Sequence, residues 1–227
     1  MVAYNNGGSN TNYLEQPYNS DLDFGTNDFS VCVWFRMPNC STTGFILDRA
    51  DTSGNERIAL YTENDSIRLY TYNVSGSEIS TSLASSYDNQ WIHYVVNRHS
   101  SGLMEAFING VKTTTTSPAV RNVTNTDAHM VISGRYAYNS GNQHLGDITL
   151  LRISGSAPTA EQVKKMYEDE KFLFQENAKC TLYGSSDAVT ALAYNDTTNL
   201  LHVGTSAGRS EFQGLRRINN TTDAVTT

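Results

Sequence analysis

From Asp28 onward the chain is a series of short runs in which apolar and polar residues alternate, each closed by turn-forming residues. In "DFSVCVWFRM", Phe29, Val31, Val33 and Phe35 fall on one side and Ser30, Cys32, Trp34 and Arg36 on the other. A period of two belongs to an extended strand with one face on a core, so this run is expected to be a half-buried strand. Pro38 and "NCSTTG" end it; "FILDRA", "ERIALYTEN", "SIRLYTYNV" and "EISTSLA" follow, separated by "DTSGN", "ND" and "SGS". "WIHYVVNR" sets Trp91, His93 and Val95 against Ile92, Tyr94 and Val96, and "HSSG" turns the chain into "LMEAFI". Asn109-Gly110 makes the next tip, because both central residues of a type I′ turn take positive φ. "VKTTTTS" reads as an edge strand whose Thr and Lys side chains discourage stray pairing, and "AHMVISGR" and "GDITLLRIS" add two more strands. Short strands at this spacing point to a sandwich or jelly roll rather than to strands joined by crossover helices.

One stretch departs from period two. "SAPTAEQVKKMYEDEKFLF" offers Thr159 as N-cap with Gln162 three residues on, a capping box, and places Val163, Met166 and Tyr167 on one helical stripe. It predicts a single short helix. Residues 1–20 are rich in Asn, Gly, Ser and Tyr without a period, and suit an arm or an irregular first strand. Past Phe174 the texture changes. "AVTALAYNDTTNLLHVGTSAGRSEFQGLRRINNTTDAVTT" reads as strand, turn, strand, turn, strand, thinned by Ala191, Ala193 and Gly204. The chain therefore divides into a sandwich of residues 1–174 and a small β unit of residues 175–227. A lone three-stranded sheet must have its edges covered, either on the sandwich or by copies of itself. The second is the expectation: a homo-oligomer, with a trimer favoured.

Composition narrows the partners. Charged residues are only 17%, the remainder of the polar surface coming from Asn, Ser and Thr, and the net charge is −7. Phosphate binding needs clustered Lys and Arg, so nucleic acid is not an expected partner. No run approaches the roughly 20 apolar residues of a membrane span, so membrane insertion is not expected either. The N-terminal residues lack the basic and apolar segments of a Sec signal. Cys32, Cys40 and Cys180 are too few and too scattered for a disulfide framework, and suit buried or half-buried thiols.

The order of the Trp34 strand, "QWIHYVV", "LMEAFINGVK", "GDITLLRIS" and "PTAEQVKKMY" resembles the concanavalin A-like jelly roll of the laminin-G and pentraxin group, over roughly residues 10–172. That resemblance implies an all-β sandwich of two antiparallel sheets with one short helix and, here, a small C-terminal β unit. The same sandwich hosts lectins, glycan hydrolases, adhesion modules and virion parts, so function has to be sought in the residues. Pentraxins bind calcium with an Asp-Asn pair in an early loop and an acidic cluster after a later strand. This chain has Gly54-Asn55 in the first place and Tyr136, Ala137 and Tyr138 in the second. Asp51, Asn55 and Glu56 fall short of the about six to eight oxygen ligands a hard cation takes, so no pentraxin-type calcium site is expected. Glucanases of the fold carry Glu-x-Asp-x-x-Glu on one strand. The nearest string, "YEDEKF", lies on the helix and suits a solvated face. The five histidines are scattered and no Gly-x-Ser-x-Gly elbow occurs. No catalytic residue, metal or cofactor is expected.

What remains is binding. "GRYAYNSGNQH" puts Tyr136 and Tyr138 on one side of an extended segment, followed by Asn142, Gln143 and His144. Rings beside amides suit a sugar, whose apolar face stacks while its hydroxyls take amide partners; the alternative is an ordinary sheet edge with packed Tyr. "DTSGNE", with Asp51, Asn55 and Glu56, is a second candidate rim. The low-charge, Thr/Asn-rich texture and the β tail also resemble phage virion proteins such as fibres, appendages and capsid decorations. The expectation is a non-enzymatic virion structural or adhesion protein that binds a glycan or receptor and associates with other virion proteins. The alternative is a carbohydrate-binding module of a secreted or cell-surface protein.

Overall fold

The computed structural model describes residues 3–5, 12–136, 142–174, 182–186, 188–214 and 216–223. Two compact units emerge, Met1–Tyr167 and Glu168–Thr227. In the first, two six-stranded antiparallel sheets face each other. The first sheet runs, edge to edge, through β1 (Tyr4–Asn5), β12 (Asp147–Ser154), β3 (Phe29–Arg36), β8 (Ile92–Arg98), β9 (Met104–Ile108) and β10 (Val111–Thr116). The second runs through β2 (Leu14–Gln16), β11 (His129–Ile132), β4 (Gly44–Ala50), β5 (Arg57–Thr62), β6 (Ser66–Asn73) and β7 (Ser75–Ser82). The irregular N-terminal segment thus supplies one short edge strand to each sheet, β1 on β12 and β2 on β11. "VKTTTTS" is the opposite edge of the first sheet, as its composition suggests.

Between the sheets lie the apolar halves of the alternating runs: Phe29, Val31, Val33 and Phe35 from β3, Ile92, Tyr94 and Val96 from β8, and Ile58, Leu60, Ile67 and Leu69 from β5 and β6. Each such side chain contributes about 1.5–3 kcal/mol by leaving water. β3 departs from the half-buried expectation, being buried through Phe35 on both faces. The helix α1 (Ala160–Glu170) is the reason: its Val163 and Met166 close over Cys32, Val95 and Phe107 on the outer side of the first sheet. The capping box starts it, Gln162 Oε1 accepting from Thr159 N at 2.8 Å and Thr159 Oγ1 from Gln162 N at 3.3 Å. Trp34 stacks on Tyr167 at 5.8 Å and pairs in register with His93.

The Asn109-Gly110 tip has the positive φ values its turn requires, 50° and 79°. Asn109 Oδ1 accepts from His93 N at 3.0 Å, and a Cβ on Gly110 would lie 3.1 Å from the Tyr167 ring. One turn falls elsewhere than expected. "SGS" is inside β7, and the chain reverses at Val74, with φ 60°, because pairing runs out to Asn73 and Ser75. Cys32 and Cys40 are buried thiols, and Cys180 lies outside the described residues. Burial, reinforced by Asp88, pushes the Cys40 thiol up to about 12.

The second unit is a meander of β13 (Val189–Asn195), β14 (Leu200–Thr205), β15 (Gly208–Gln213) and β16 (Arg216–Thr221). It has one strand more than the sequence pattern suggests, because Gly214, at φ 58°, folds "SEFQGLRRINN" back on itself. Val203 and Phe212 are buried in it, while Leu192 and Tyr194 on the edge strand are 68% and 58% exposed.

His144, just before β12, is fully buried with its ring edge-on to Phe35 at 5.9 Å. Burial pulls its pKa down to about 4, the backbone at Arg36 and Asp147 offsetting part of the effect. An unfolded histidine titrates near 6.5. Above that value both states are neutral and the group contributes nothing. As pH falls from 6.5 toward 4 the unfolded chain takes up a proton that the folded chain refuses, so stability drains away. The loss is about 2 kcal/mol by about pH 5. Urea unfolding of wild type and His144→Phe near neutrality and at mild acid checks this: the variant is expected to lose about 2 kcal/mol less over that interval.

Candidate functional site

The outer face of the second sheet carries an unusual set of side chains. Between the core positions of β5 and β6 stand Arg57, Ala59 and Tyr61, and Arg68, Tyr70 and Tyr72. A register shift between Phe45 and Leu47 in β4 puts Phe45 on this face while Ile46 and Leu47 both stay in the core. Phe45 pairs across to Tyr61, and their rings stack at 4.9 Å. The guanidinium carbons of Arg57 and Arg135 lie 5.1 Å and 5.4 Å from the centre of the same Phe45 ring. Asp48, fully buried, accepts from Arg57 Nε at 2.5 Å and from Tyr136 N at 2.9 Å. That second bond lays the segment after β11 back over the sheet, and the Tyr136 ring stacks on His129 at 4.7 Å, within 8° of parallel. His129 Nδ1 in turn lies 2.6 Å from Glu15 Oε1.

On the far side, the Tyr61 hydroxyl donates to Glu78 at 3.2 Å, and Glu78 also takes Arg68 Nη1 at 3.3 Å. Burial first, then the Glu78 charge, pushes the Tyr61 phenol up to about 12, and burial raises Tyr70 as well. Both remain protonated near neutrality and can donate as well as accept. The Tyr70 and Tyr72 rings stack at 6.0 Å. The result is a floor of Ala59, Val131 and Phe45 under half-buried rings, phenols and guanidiniums. Such a surface suits a ligand with flat apolar patches edged by hydroxyls. Of its carboxylates, Asp48 is paired with Arg57, Glu78 and Glu63 with Arg68, and Glu15 lies against His129.

The residues singled out from sequence are distributed around this face. Asp51 closes its own loop: Oδ1 accepts from Ser53 N at 2.8 Å and Asn55 N at 2.9 Å, and Oδ2 from Asn55 Nδ2 at 3.1 Å. Burial pushes its carboxyl up, but these amides outweigh it and hold the pKa below the ordinary range. Glu56, at φ 41°, accepts from Asn125 Nδ2 at 3.2 Å, and the same amide bonds Asn55 O at 3.1 Å. Asp51, Asn55 and Glu56 therefore come together, but as a turn whose polar groups bind one another. Asn142 O accepts from Phe45 N at 2.8 Å, and Gln143, buried, bridges to Phe45. Tyr136 lies toward the opposite end of β4, on the His129 ring that pairs with Ala50. Tyr138 lies outside the described residues. Among the described residues, no three His, Cys, Asp or Glu side chains gather as a metal site would.

Sequence reasoning passed over Phe45, Arg57, Tyr61, Tyr70, Tyr72 and Arg135. A signal was present for four of them: in "ERIALYTEN" and "SIRLYTYNV" the outward half of the alternation is Arg and Tyr, where "EISTSLA" has Glu and Ser.

The comparisons with known proteins agree with this architecture. Among solved structures, the binding domain of botulinum neurotoxin serotype G superposes with a TM-score of 0.60 at 12% identity, covering 97% of this chain and 55% of that one. The Ruminococcus gnavus IT-sialidase CBM40 bound to α2,3-sialyllactose gives 0.56 at 10% identity, over 68% of this chain and 95% of that one. Mouse laminin α1 domains LG4-5 give 0.54 at 15%, over 70% and 43%. The chain spans just over half the length of the neurotoxin binding domains it matches, 55% and 58% for two of them. Comparison with curated protein sequences finds no match. A family model matches residues 6–164, which hold every strand of the sandwich but β1, and by that match the chain belongs to the concanavalin A-like lectin/glucanases superfamily.

Proposed function

We propose that this chain is a non-enzymatic binding module that takes a glycan on the outer face of its second sheet. The observation that carries the reading is the set of rings on adjacent strands, Phe45 on Tyr61 and Tyr70 on Tyr72, with Tyr136 stacked beside them on His129. Sugar rings present C–H faces to such surfaces, and the phenols of Tyr61 and Tyr70 supply partners for hydroxyls. The fold gives further support, since neurotoxin binding domains and a sialidase module bound to sialyllactose are built on it. Engagement of Asp48 and Glu78 by arginines supports a binding rather than a hydrolytic role, since hydrolysis uses a carboxylate pair free to exchange protons. The homo-oligomeric and virion expectations rest on sequence texture and form no part of this reading.

The test is a glycan array probed with the full chain, followed by calorimetry on the best binder. Tyr70→Ala and Tyr136→Ala are each expected to weaken it about tenfold, the value of one stacked ring at about 1–1.5 kcal/mol. Binding to no glycan, or binding that neither substitution changes, overturns the proposal.

A further inference from the structure

The outer face of the second sheet holds a donor that the fold leaves without an acceptor. Arg57 is 7% exposed. Its Nε is taken by Asp48, its guanidinium lies over Phe45, and its Nη2 is buried with no hydrogen-bond partner among the described residues. Asp48 accepts from Nε and from Tyr136 N, not from Nη2. A buried guanidinium N–H left unmade is costly, and the strongest relief is a charged acceptor, since hydrogen bonds between ionised groups are about twice as strong as neutral ones. The surroundings favour an anion. A second guanidinium, that of Arg135, lies over the same Phe45 ring, and the apolar floor of Ala59 and Val131 keeps the local dielectric low. Tyr72, directly across the pairing from Arg57, and Tyr136, bonded to Asp48, are half-buried.

We infer that the glycan bound on this face carries a carboxylate, which Arg57 Nη2 receives while the sugar ring lies along the tyrosines. This inference rests on the glycan-binding reading and deepens it: the ligand class is an acidic glycan, with sialic and uronic acids as the two sources of that carboxylate.

The experiment titrates the full chain with 3′-sialyllactose, a glucuronate-terminated trisaccharide and lactose. At least one acid is expected to bind ten times more tightly than lactose, and which one does so separates the two sources. Its advantage is expected to shrink as salt rises from about 0.05 M to 0.5 M. Arg57→Gln alone strands the buried Asp48 charge and can unfold the chain. The preference is therefore also measured in the charge-neutral double variant Arg57→Gln/Asp48→Asn, and in Arg135→Gln, which leaves the Asp48 bond intact. Both are expected to bring the acid close to lactose. If lactose binds as tightly as both acids, and Tyr70→Ala still weakens it, the carboxylate inference fails while the glycan reading stands. If none of the three binds and the array is blank, both fail.

Discussion

Arg98→Met is expected to cost about 4 kcal/mol of folding stability, a large part of what a domain of this size has. Arg98 is fully buried and, among the described residues, is bonded to carbonyls and to no carboxylate. Instead its Nη1 donates to Arg121 O at 2.9 Å, and its Nη2 to Gly25 O at 3.0 Å and Asn27 O at 2.5 Å. The guanidinium lies over Phe29, 4.5 Å from its centre. Desolvation pulls its pKa down to about 10, partly offset by Asp28, so it stays charged near neutrality. One side chain at the end of β8 thus holds two loops to the sandwich, one before β3 and one before β11. Methionine keeps the ring contact and strands the carbonyls. Gly25 O retains a bond from Val123 N, but Arg121 O and Asn27 O lose their side-chain donor, at about 1–3 kcal/mol each. Arg98→Lys keeps the charge yet offers one nitrogen to three separated acceptors, so it is expected to recover less than half the loss. Urea unfolding of the three proteins checks the order. A loss under about 1 kcal/mol for the methionine variant would show that the loops find other donors and that Arg98 does not hold them.

The sandwich was legible in the sequence because alternation is a physical demand on any strand with a core on one side. Phe29, Val31, Val33 and Phe35 face inward for that reason, and so do Ile92, Tyr94 and Val96. The motifs that carried the family resemblance also have local causes. His93 sits across from Trp34 under Tyr167 of the helix, and Asn109 holds His93 through both a backbone and a side-chain bond. Alternation says which residues point away from the core, however, and not what gathers there. Arg57, Tyr61, Tyr70 and Phe45 meet only once β4, β5 and β6 are laid side by side in register. The register shift in β4 hides the site further. Strict alternation in "FILDRA" groups Phe45 with Leu47 and Arg49, whereas the extra residue at Ile46 turns Phe45 outward and leaves the other two inside. The loop residues Asp51, Asn55 and Glu56 were visible by type, but their pairing with Asn125, which closes them on themselves, depends on a segment 69 or more residues away.

Gly146→Ala is expected to cost about 3 kcal/mol, and the reason explains why a glycine precedes the aspartate of "GDITLLRIS". A Cβ at this position would lie 1.7 Å from Arg36 O, 2.8 Å from Arg36 C and 3.0 Å from Met37 Cα. All three are backbone atoms of β3 and its continuation, so no rotamer change relieves the overlap and the strands must part. They are paired at that point, Asp147 with Arg36 and Ile148 with Phe35. The close approach also brings the Asp147 carboxylate to Arg36, with bonds of 2.8 Å and 2.5 Å, and to Asn5 Nδ2 at 2.8 Å. Burial pushes the Asp147 carboxyl up, but Asn5 and Arg36 outweigh it and hold the pKa below the ordinary range. That ion pair is worth little by itself, since the Arg36 side chain is 46% exposed; Asp147→Asn is expected to cost only about 0.5–1 kcal/mol. The contrast between the two variants separates backbone approach from charge. Gly146 also ends the loop in which Asn142 and Gln143 hold Phe45, so parting the strands there moves the ring at the centre of the proposed site. Gly146→Ala is accordingly expected to weaken glycan binding in protein that remains folded, while Asp147→Asn leaves it within twofold. Similar small stability losses for both substitutions would mean that the strands accommodate a methyl group, and that close approach is not what requires the glycine.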